Sequence, residues 1–258
     1  MNISSRHLRS AFLAAAASLL AVQSAEAATL YWDAGTVTVN GASGGGSGTW
    51  KVGTAGWENG TAAVNWADSN DATFAGTAGT VTLGGNITAG ILTVNSAYTF
   101  TTTGYALNLS TITGSGAVTF AGSGTTTLSG NSANSNSITV DTGTLKVNGV
   151  IYGGAYRTAT LTVKNGGVLE LKTWQYDQTN NTTSLGGLTA NAPNFVIGTG
   201  GGTVRMSNTV ATSYGRGLTL NGTATLEENG SALWTLDVVT DNQNWVYNNN
   251  SIILTGTG

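Results

Sequence analysis

The stretch Gly122–Val147, GSGTTTLSGNSANSNSITVDTGTLKV, decides the fold class of this chain. It holds three β-prone runs of four residues each, Thr125–Leu128, Ser137–Val140 and Thr144–Val147. Gly, Asn, Ser and Asp separate these runs, and they are the residues that accept turn conformations. A run this short cannot bury a core alone, so its stability requires stacking on similar neighbours. The stretch therefore predicts the repeating unit of a β-solenoid.

The same stretch resembles the autotransporter-associated β-strand repeat of bacterial surface proteins. Units of that family carry a Gly-Ser-Gly-Thr opening, a Leu-Ser-Gly-x-Asn turn and a closing Gly-Thr-Leu. Gly122–Thr125, Leu128–Gly130 and Gly143–Leu145 match these elements, whereas Asn134–Asn136 departs from the Asn-Thr-Tyr-x-Gly-type turn of the family. The resemblance implies an exported passenger that acts as a surface rod for adhesion or extracellular matrix assembly.

The first 27 residues are typical of a secretory signal peptide. Arg6 and Arg9 form a basic region, Ala11–Val22 is apolar, and Ala25–Ala27 is an A-x-A cleavage signature. The apolar region is too short to span a bilayer as a helix. We therefore predict export to the cell surface, the outer membrane or the extracellular space. Membrane contact is expected only through an export or anchor domain outside this sequence.

Loss of the signal peptide would remove the only histidine, His7, and the chain has no cysteine. The mature chain would then lack the residues for a Ser-His-Asp triad, a cysteine nucleophile, a disulfide or an ordinary zinc site. It would retain 11 acidic and 7 basic residues, once Glu26, Arg6 and Arg9 are lost. This sparse net charge of −4 argues against nucleic acid, which requires clustered Lys and Arg. We predict no cofactor and no metal.

Residues 28–75 are predicted to form an aromatic-rich N-terminal cap. Four of the seven tryptophans lie here, at Trp32, Trp50, Trp57 and Trp66. This module looks like the Trp-containing leader found before such repeats, and Gly41–Gly48 within it is predicted to be a flexible loop. An exposed platform for sugar rings is the alternative interpretation. We favour the cap, because an open solenoid end requires protection against end-to-end addition.

Residues 76–258 are predicted to form the solenoid repeat region, which the family resemblance covers loosely. No segment after residue 27 has helical periodicity, and β-prone runs recur at intervals of about ten residues. Outside the quoted stretch these runs are Thr80–Leu83, Ile91–Val94, Tyr98–Thr101, Ala106–Leu109, Ala117–Phe120, Ala159–Val163, Val168–Leu171, Thr203–Met206, Leu218–Leu220, Thr223–Leu226, Ala232–Leu236 and Ile252–Leu254.

Two all-β architectures fit such runs. An antiparallel β-sandwich would use Asn148-Gly149, Asn165-Gly166 and Asn221-Gly222 as hairpin turns. The recurrence of similar runs over nearly the whole mature chain favours a right-handed parallel β-helix, or β-solenoid. Thr255–Gly258 looks like the opening of another repeat, so we expect the repeat region to continue past it.

Residues 172–200 interrupt the rhythm with a polar segment that includes the only proline, Pro193. Long irregular loops tend to be functional or disordered, so Trp174, Tyr176 and Asp177 are the predicted binding residues if the chain has a binding site. A structural covering loop is the interpretation we favour. The expected partners are extracellular glycans or other surface proteins. Asp241–Asn250 is a second, weaker excursion.

The sequence provides no recognisable catalytic motif. Gly41–Gly45 matches G-x-S-x-G, but no mature histidine exists to activate Ser43. Asp68 and Asp71 lack the remaining ligands of a calcium loop. Glu227 and Glu228 are adjacent and would point to opposite faces of a strand, while Glu170 and Lys172 would form a solvated pair. We predict a non-enzymatic protein; the alternative is a carbohydrate-binding or polysaccharide-degrading β-helix protein.

Overall fold

The computed structural model describes residues 27–132, 136–152, 159–172, 194–207, 212–214, 218–229, 234–236, 246 and 248–256. These residues form strands and turns and contain no helix. The strands are β1 Thr29–Trp32, β2 Gly48–Trp50, β3 Trp57–Glu58, β4 Ala63–Val64, β5 Asp71–Phe74, β6 Gly79–Leu83, β7 Ile87–Val94, β8 Tyr98–Thr101, β9 Ala106–Gly114, β10 Val118–Ala121, β11 Thr125–Leu128, β12 Ile138–Asp141, β13 Thr144–Val147, β14 Thr160–Lys164, β15 Gly167–Leu171, β16 Asn194–Ile197, β17 Gly202–Met206, β18 Thr212–Tyr214, β19 Thr219–Leu220, β20 Ala224–Glu228, β21 Trp234–Leu236 and β22 Ile252–Gly256.

Two sheets carry nearly all of the described strands. The longer sheet has the order β22-β20-β17-β15-β13-β11-β9-β7-β5-β1-β3-β4, and the shorter sheet has the order β19-β16-β14-β12-β10-β8-β6-β2. From β5 to β17 the chain alternates between the two sheets, so each coil gives one strand to each. Among the described strands only the β1–β3 and β3–β4 pairs are antiparallel. The predicted parallel β-solenoid is confirmed, and the antiparallel sandwich is wrong.

The coil length is regular in the middle of the chain and increases afterwards. Hydrogen bonds between equivalent positions of neighbouring coils join residues 20 apart, as from Ile112 N to Ser132 Oγ and from Gly122 N to Thr142 Oγ1. The bond from Asn165 to Asp141 already spans 24 residues, and the bond from Ser207 to Leu171 spans 36. Strand pairing nevertheless keeps equivalent residues stacked, as Val140 is on Val163 and Leu171 on Met206.

The core lies between the two sheets and is built from columns of stacked apolar side chains. On the longer sheet, one inward column consists of Leu109, Leu128, Val147, Leu171 and Met206, which are partners in successive strands and are all buried. Complete burial of one such side chain contributes about 1.5–3 kcal/mol. A coil gains this burial free energy only when neighbouring coils cover its side chains, so the stability of one coil depends on the next.

The Asn-Gly pairs form corners of the coil. Asn165 and Gly166 both adopt left-handed backbone angles, with φ of 53° and 76°. They connect β14 in the shorter sheet to β15 in the longer sheet, and therefore do not close a hairpin. Asn and Gly tolerate this conformation better than other residues, which is why a local pattern typical of a hairpin also serves a solenoid corner.

Candidate functional site

The predicted binding residues Trp174, Tyr176 and Asp177 lie outside the described residues, as do Pro193 and residues 1–26 of the predicted signal peptide. The binding role of this loop stays a prediction. The described residues offer other candidate surfaces, at the aromatic end of the molecule, at its charged row and along its sheets.

The tryptophans of the predicted cap, residues 28–75, form a buried cluster with Phe74. Trp50 and Trp57 are fully buried, and Trp32 is only 2% exposed. The ring centroids of Trp66 lie 4.8 Å from Trp50 and 4.7 Å from Trp57, and Phe74 packs 5.3 Å from Trp50. Rings at these distances attract each other in addition to burying their area. The exposed platform for sugar rings is therefore wrong, and the cluster fills the end of the core as an aromatic-rich cap.

The Gly/Ser stretch Gly41–Gly48, predicted to be a flexible loop, contains one buried and closely packed residue, Gly45, between the cap and the first coil. Gly45 forms parallel bridges to both Asp33 and Thr77. Its φ is 82°, and a Cβ at this position would overlap the carbonyl oxygens of Thr77 and Ala75. Glycine is required here because three backbone segments meet without room for a side chain. This junction connects the cap to the coils.

A buried polar network fixes the same junction. The Asp33 carboxylate accepts hydrogen bonds from the backbone N–H groups of Gly44 and Thr38. The hydroxyl of Tyr98 lies 2.7 Å from the carbonyl oxygen of Thr77 and accepts a bond from Gly46 N–H. Burial raises the pKa of Tyr98, the hydrogen bond with Gly46 opposes this rise, and the charge of Asp33 adds to it. These groups hold the junction together.

The motifs that resemble catalytic or calcium sites also have structural roles. The hydroxyl of Ser43 donates to the carbonyl oxygen of Trp32 at 2.6 Å and accepts from Ala75 N–H at 3.1 Å. Asp68 accepts from Thr88 N–H, and Asp71 accepts from Ile91 N–H. Each of these side chains therefore joins neighbouring backbone segments. No group of three or more potential metal-ligating acidic, His or Cys residues occurs in the part of the chain that the structure describes.

Charged residues of the later coils form a row on the outer face of the longer sheet. Lys146, Glu170, Arg205 and Glu227 are register partners in β13, β15, β17 and β20. The Glu170 carboxylate lies 2.7 Å from Lys146 Nζ and 3.6 Å from Arg205 Nη1, and Arg205 Nε donates to Glu227 at 3.0 Å. The predicted Glu170–Lys172 pair is wrong, because the ion-pair partners of Glu170 come from neighbouring coils rather than from its own strand.

The outer face of the shorter sheet is instead uncharged over several coils and carries stacked threonines. Thr80, Thr99, Thr119, Thr139 and Thr162 are register partners in successive strands, and Thr82 pairs with Thr101 in a second row. We call these seven residues the threonine face. Thr80 and Thr82 are exposed and the others are partly exposed. This face was not predicted, although the sequences Thr80-Val81-Thr82 and Thr99-Phe100-Thr101 carry the alternation that could have indicated it.

A shallow groove of about 520 Å³ opens at the corners beside β16 and β19. Its lining is uncharged and includes Thr199, Gly200, Gly201, Asn221, Thr223 and Asn250. Asn248 donates to the Asn221 side chain at 2.7 Å, and Asn250 donates to the carbonyl oxygen of Leu220 at 3.1 Å. Because these bonds tie successive corners together, we regard the groove as structural and the threonine face as the better candidate surface.

No helix among the described residues is long and apolar enough to cross a membrane.

In sequence, the chain is 35% identical over 161 residues to "Adhesin BmaC autotransporter" of Brucella suis biovar 1 (strain 1330). The matched region covers 60% of this chain but 4% of that relative. No protein-family profile and no solved structure matches the chain. The similarity to an autotransporter adhesin and the parallel β-solenoid confirm the resemblance drawn from Gly122–Val147 and fit an autotransporter passenger-like repeat protein.

Proposed function

We propose that this chain is an exported, non-enzymatic passenger segment that acts as a rigid surface rod in adhesion or extracellular matrix assembly. The observation that carries the proposal is the parallel stacking of successive coils, from β5 to β22 along the longer sheet. Such a stack has an internal core along its whole length and presents repeated outer faces to its surroundings. The sequence similarity to an autotransporter adhesin supports the same role.

The environment of the carboxylates supports a non-enzymatic role. Asp33, Asp68 and Asp71 accept hydrogen bonds from backbone N–H groups. Glu170 and Glu227 are ion-paired across coils. A glycosidase requires two carboxyl groups on opposite sides of a cleft that admits a sugar, and these side chains are instead committed to holding the coils together.

Surface location is tested on cells that express the full chain, by antibody labelling and by protease treatment of intact cells. The proposal expects labelling without permeabilisation. Adhesion of these cells to immobilised host matrix and polysaccharide surfaces should exceed that of cells without the chain. A chain that stays inside the cell, or one that adds no adhesion to any surface, would contradict the proposal.

A matched pair of variants tests whether adhesion requires the folded rod or only expression of the chain. Leu128 points into the core and is fully buried, whereas the adjacent Thr127 points outward. Leu128→Asp should abolish adhesion because it places an unpaired charge in the core, and Thr127→Asp should retain it. Release of sugar products from a panel of polysaccharides by the purified chain would disprove the non-enzymatic part of the proposal.

A further inference from the structure

We propose that the threonine face binds neutral, linear polysaccharide chains, which lie along the stacked rows of threonines and cross successive coils. This inference rests on the proposed adhesive function and assigns to it a surface and a class of partner. Hydroxyl groups, regular spacing and the absence of charge each support the assignment.

The hydroxyl groups of the threonine face are free to bind a partner. In the described part of the chain, none of the hydroxyls of Thr80, Thr99, Thr119, Thr139 and Thr162 makes a hydrogen bond to another protein group. By contrast, the Thr102 hydroxyl just beyond β8 is buried and donates to the carbonyl oxygen of Ala121 at 3.1 Å. Each free hydroxyl offers one donor and two acceptor positions, and its methyl group can pack against the C–H face of a sugar ring.

The spacing of the rows favours a repetitive partner. Neighbouring strands of a sheet lie about 4.8 Å apart, so the row from Thr80 to Thr162 extends over roughly 19 Å. The backbone of each strand is held by pairing on both sides, for example β10 between β8 and β12. A rigid row loses little conformational entropy on binding. Weak contacts repeated from coil to coil add up along a polymer, whereas a small ligand would use only one or two of them.

The charge distribution favours a neutral partner. The second row continues from Thr101 to Ala121 and reaches a charge only at Asp141, which pairs with Lys164 at 3.2 Å. Within these rows the one Lys, Lys164, is already paired, and the exposed Lys51 lies at the edge of the face, beyond Thr49 and against Gly84. An anionic glycan would therefore meet a single Lys at the edge rather than a row of cations. Protein–protein interfaces depend on aromatic and Arg anchors, and the described residues place neither on this face. A neutral, hydroxyl-rich chain complements what the face offers.

The test measures retention of the purified full chain on insoluble cellulose, chitin and β-glucan. The test variant is Thr99→Val/Thr119→Val/Thr139→Val, which removes three hydroxyls and keeps the side-chain shape and strand preference. The control is Thr88→Val/Thr127→Val, which removes outward hydroxyls from the longer sheet. Thermal unfolding must show that both variants fold like the wild type. We expect about a tenfold or greater loss of binding in the test variant and little change in the control.

The outcomes separate this inference from the proposed function. Equal binding by the test variant and the wild type would place glycan binding elsewhere and overturn the inference, while adhesion of intact cells would still support the proposed function. Equal losses in both variants would also overturn it. If the wild type binds no neutral polysaccharide, the inference fails, and a measurement of ice-growth inhibition then shows whether the regular hydroxyl rows bind ordered water instead.

Discussion

The cap and the middle coils of the described core differ in how they obtain stability. In the cap, a few large aromatic side chains fill the space, and the longer sheet continues from β1 into the short antiparallel strands β3 and β4. In the coils from β8 to β13, the core consists mainly of Leu, Val and Ile in continuous columns. A coil is covered on both sides by similar coils. Among the described residues the cap has a coil on one side only, and bulky rings take the place of a second neighbour.

This difference implies different sensitivity to mutation. Each aliphatic column distributes its burial over many residues, whereas the cap depends on a few ring contacts such as Trp50–Trp66. Truncation of a cap residue should therefore cost more than truncation of a coil residue, although both residues are fully buried.

The largest expected effect is that of Trp57→Ala. It removes a fully buried ring that contacts Trp32, Trp50 and Trp66, and we expect a loss of about 3–5 kcal/mol in the free energy of unfolding. Leu145→Ala is the coil comparison, with an expected loss near the lower end of the 2–5 kcal/mol known for Leu. Chemical denaturation followed by circular dichroism measures both. A smaller loss for Trp57→Ala than for Leu145→Ala would refute the contrast.

Gly45→Ala tests the junction between the cap and the coils. The new Cβ would overlap the carbonyl oxygens of Thr77 and Ala75, and the residue would also keep an unfavourable φ. We expect a loss of about 2–3 kcal/mol. Gly53→Ala is a matched control, because its φ of 79° is similar but nothing lies within 4 Å of its Cβ position. The control should lose about 1 kcal/mol, and equal losses would mean that close packing at Gly45 has no energetic role.

The dependence of stability on alkaline pH tests the burial of a tyrosine in the coils. The Tyr152 hydroxyl donates to the carbonyl oxygen of Asn136 at 3.0 Å, and burial raises the pKa of Tyr152 above its ordinary value of 10.0. Below about pH 10 both the folded and the unfolded chain keep this proton, so its contribution to stability is complete. Above that pH the unfolded chain loses the proton first, and the free energy of unfolding falls by up to about 1.4 kcal/mol per pH unit.

The measurement is denaturant unfolding between about pH 8 and pH 11. Tyr152→Phe should reduce the alkaline slope, because the residue no longer titrates. An alkaline slope in Tyr152→Phe as steep as that of the wild type would show that other groups cause the loss.

The smallest expected effect is that of Glu170→Gln in the charged row. Glu170 contacts both Lys146 and Arg205, and its side chain is 13% exposed. We expect a loss of about 1 kcal/mol or less, which should shrink as salt is added. Glu227→Gln, at the end of the row, removes one contact and should cost less. An effect of Glu170→Gln that is independent of salt would argue against an electrostatic origin.

Much of the fold is predictable because inward and outward residues alternate within each short run. Val118 and Phe120 point inward and Thr119 outward, as the sequence Ala117–Phe120 indicates. The Glu170 pairing was wrong, because strand register between distant coils decides which charges meet. The close approach of Thr77 to Gly45, within the predicted loop Gly41–Gly48, was not predicted, because it has no local sequence signal.

The sequence by itself determined the building units of this protein: short β-prone runs, turn residues between them, aromatic residues near the beginning and sparse charge. These follow from local preferences and composition, which act within a few residues. Only the tertiary structure decided that the Asn-Gly pairs form corners rather than hairpins and that the ion pairs join different coils. It also aligned Thr80, Thr99 and Thr119 in one row. Such contacts depend on the register of stacked coils, and register is a property of pairing between segments about 20 residues apart rather than of any one segment.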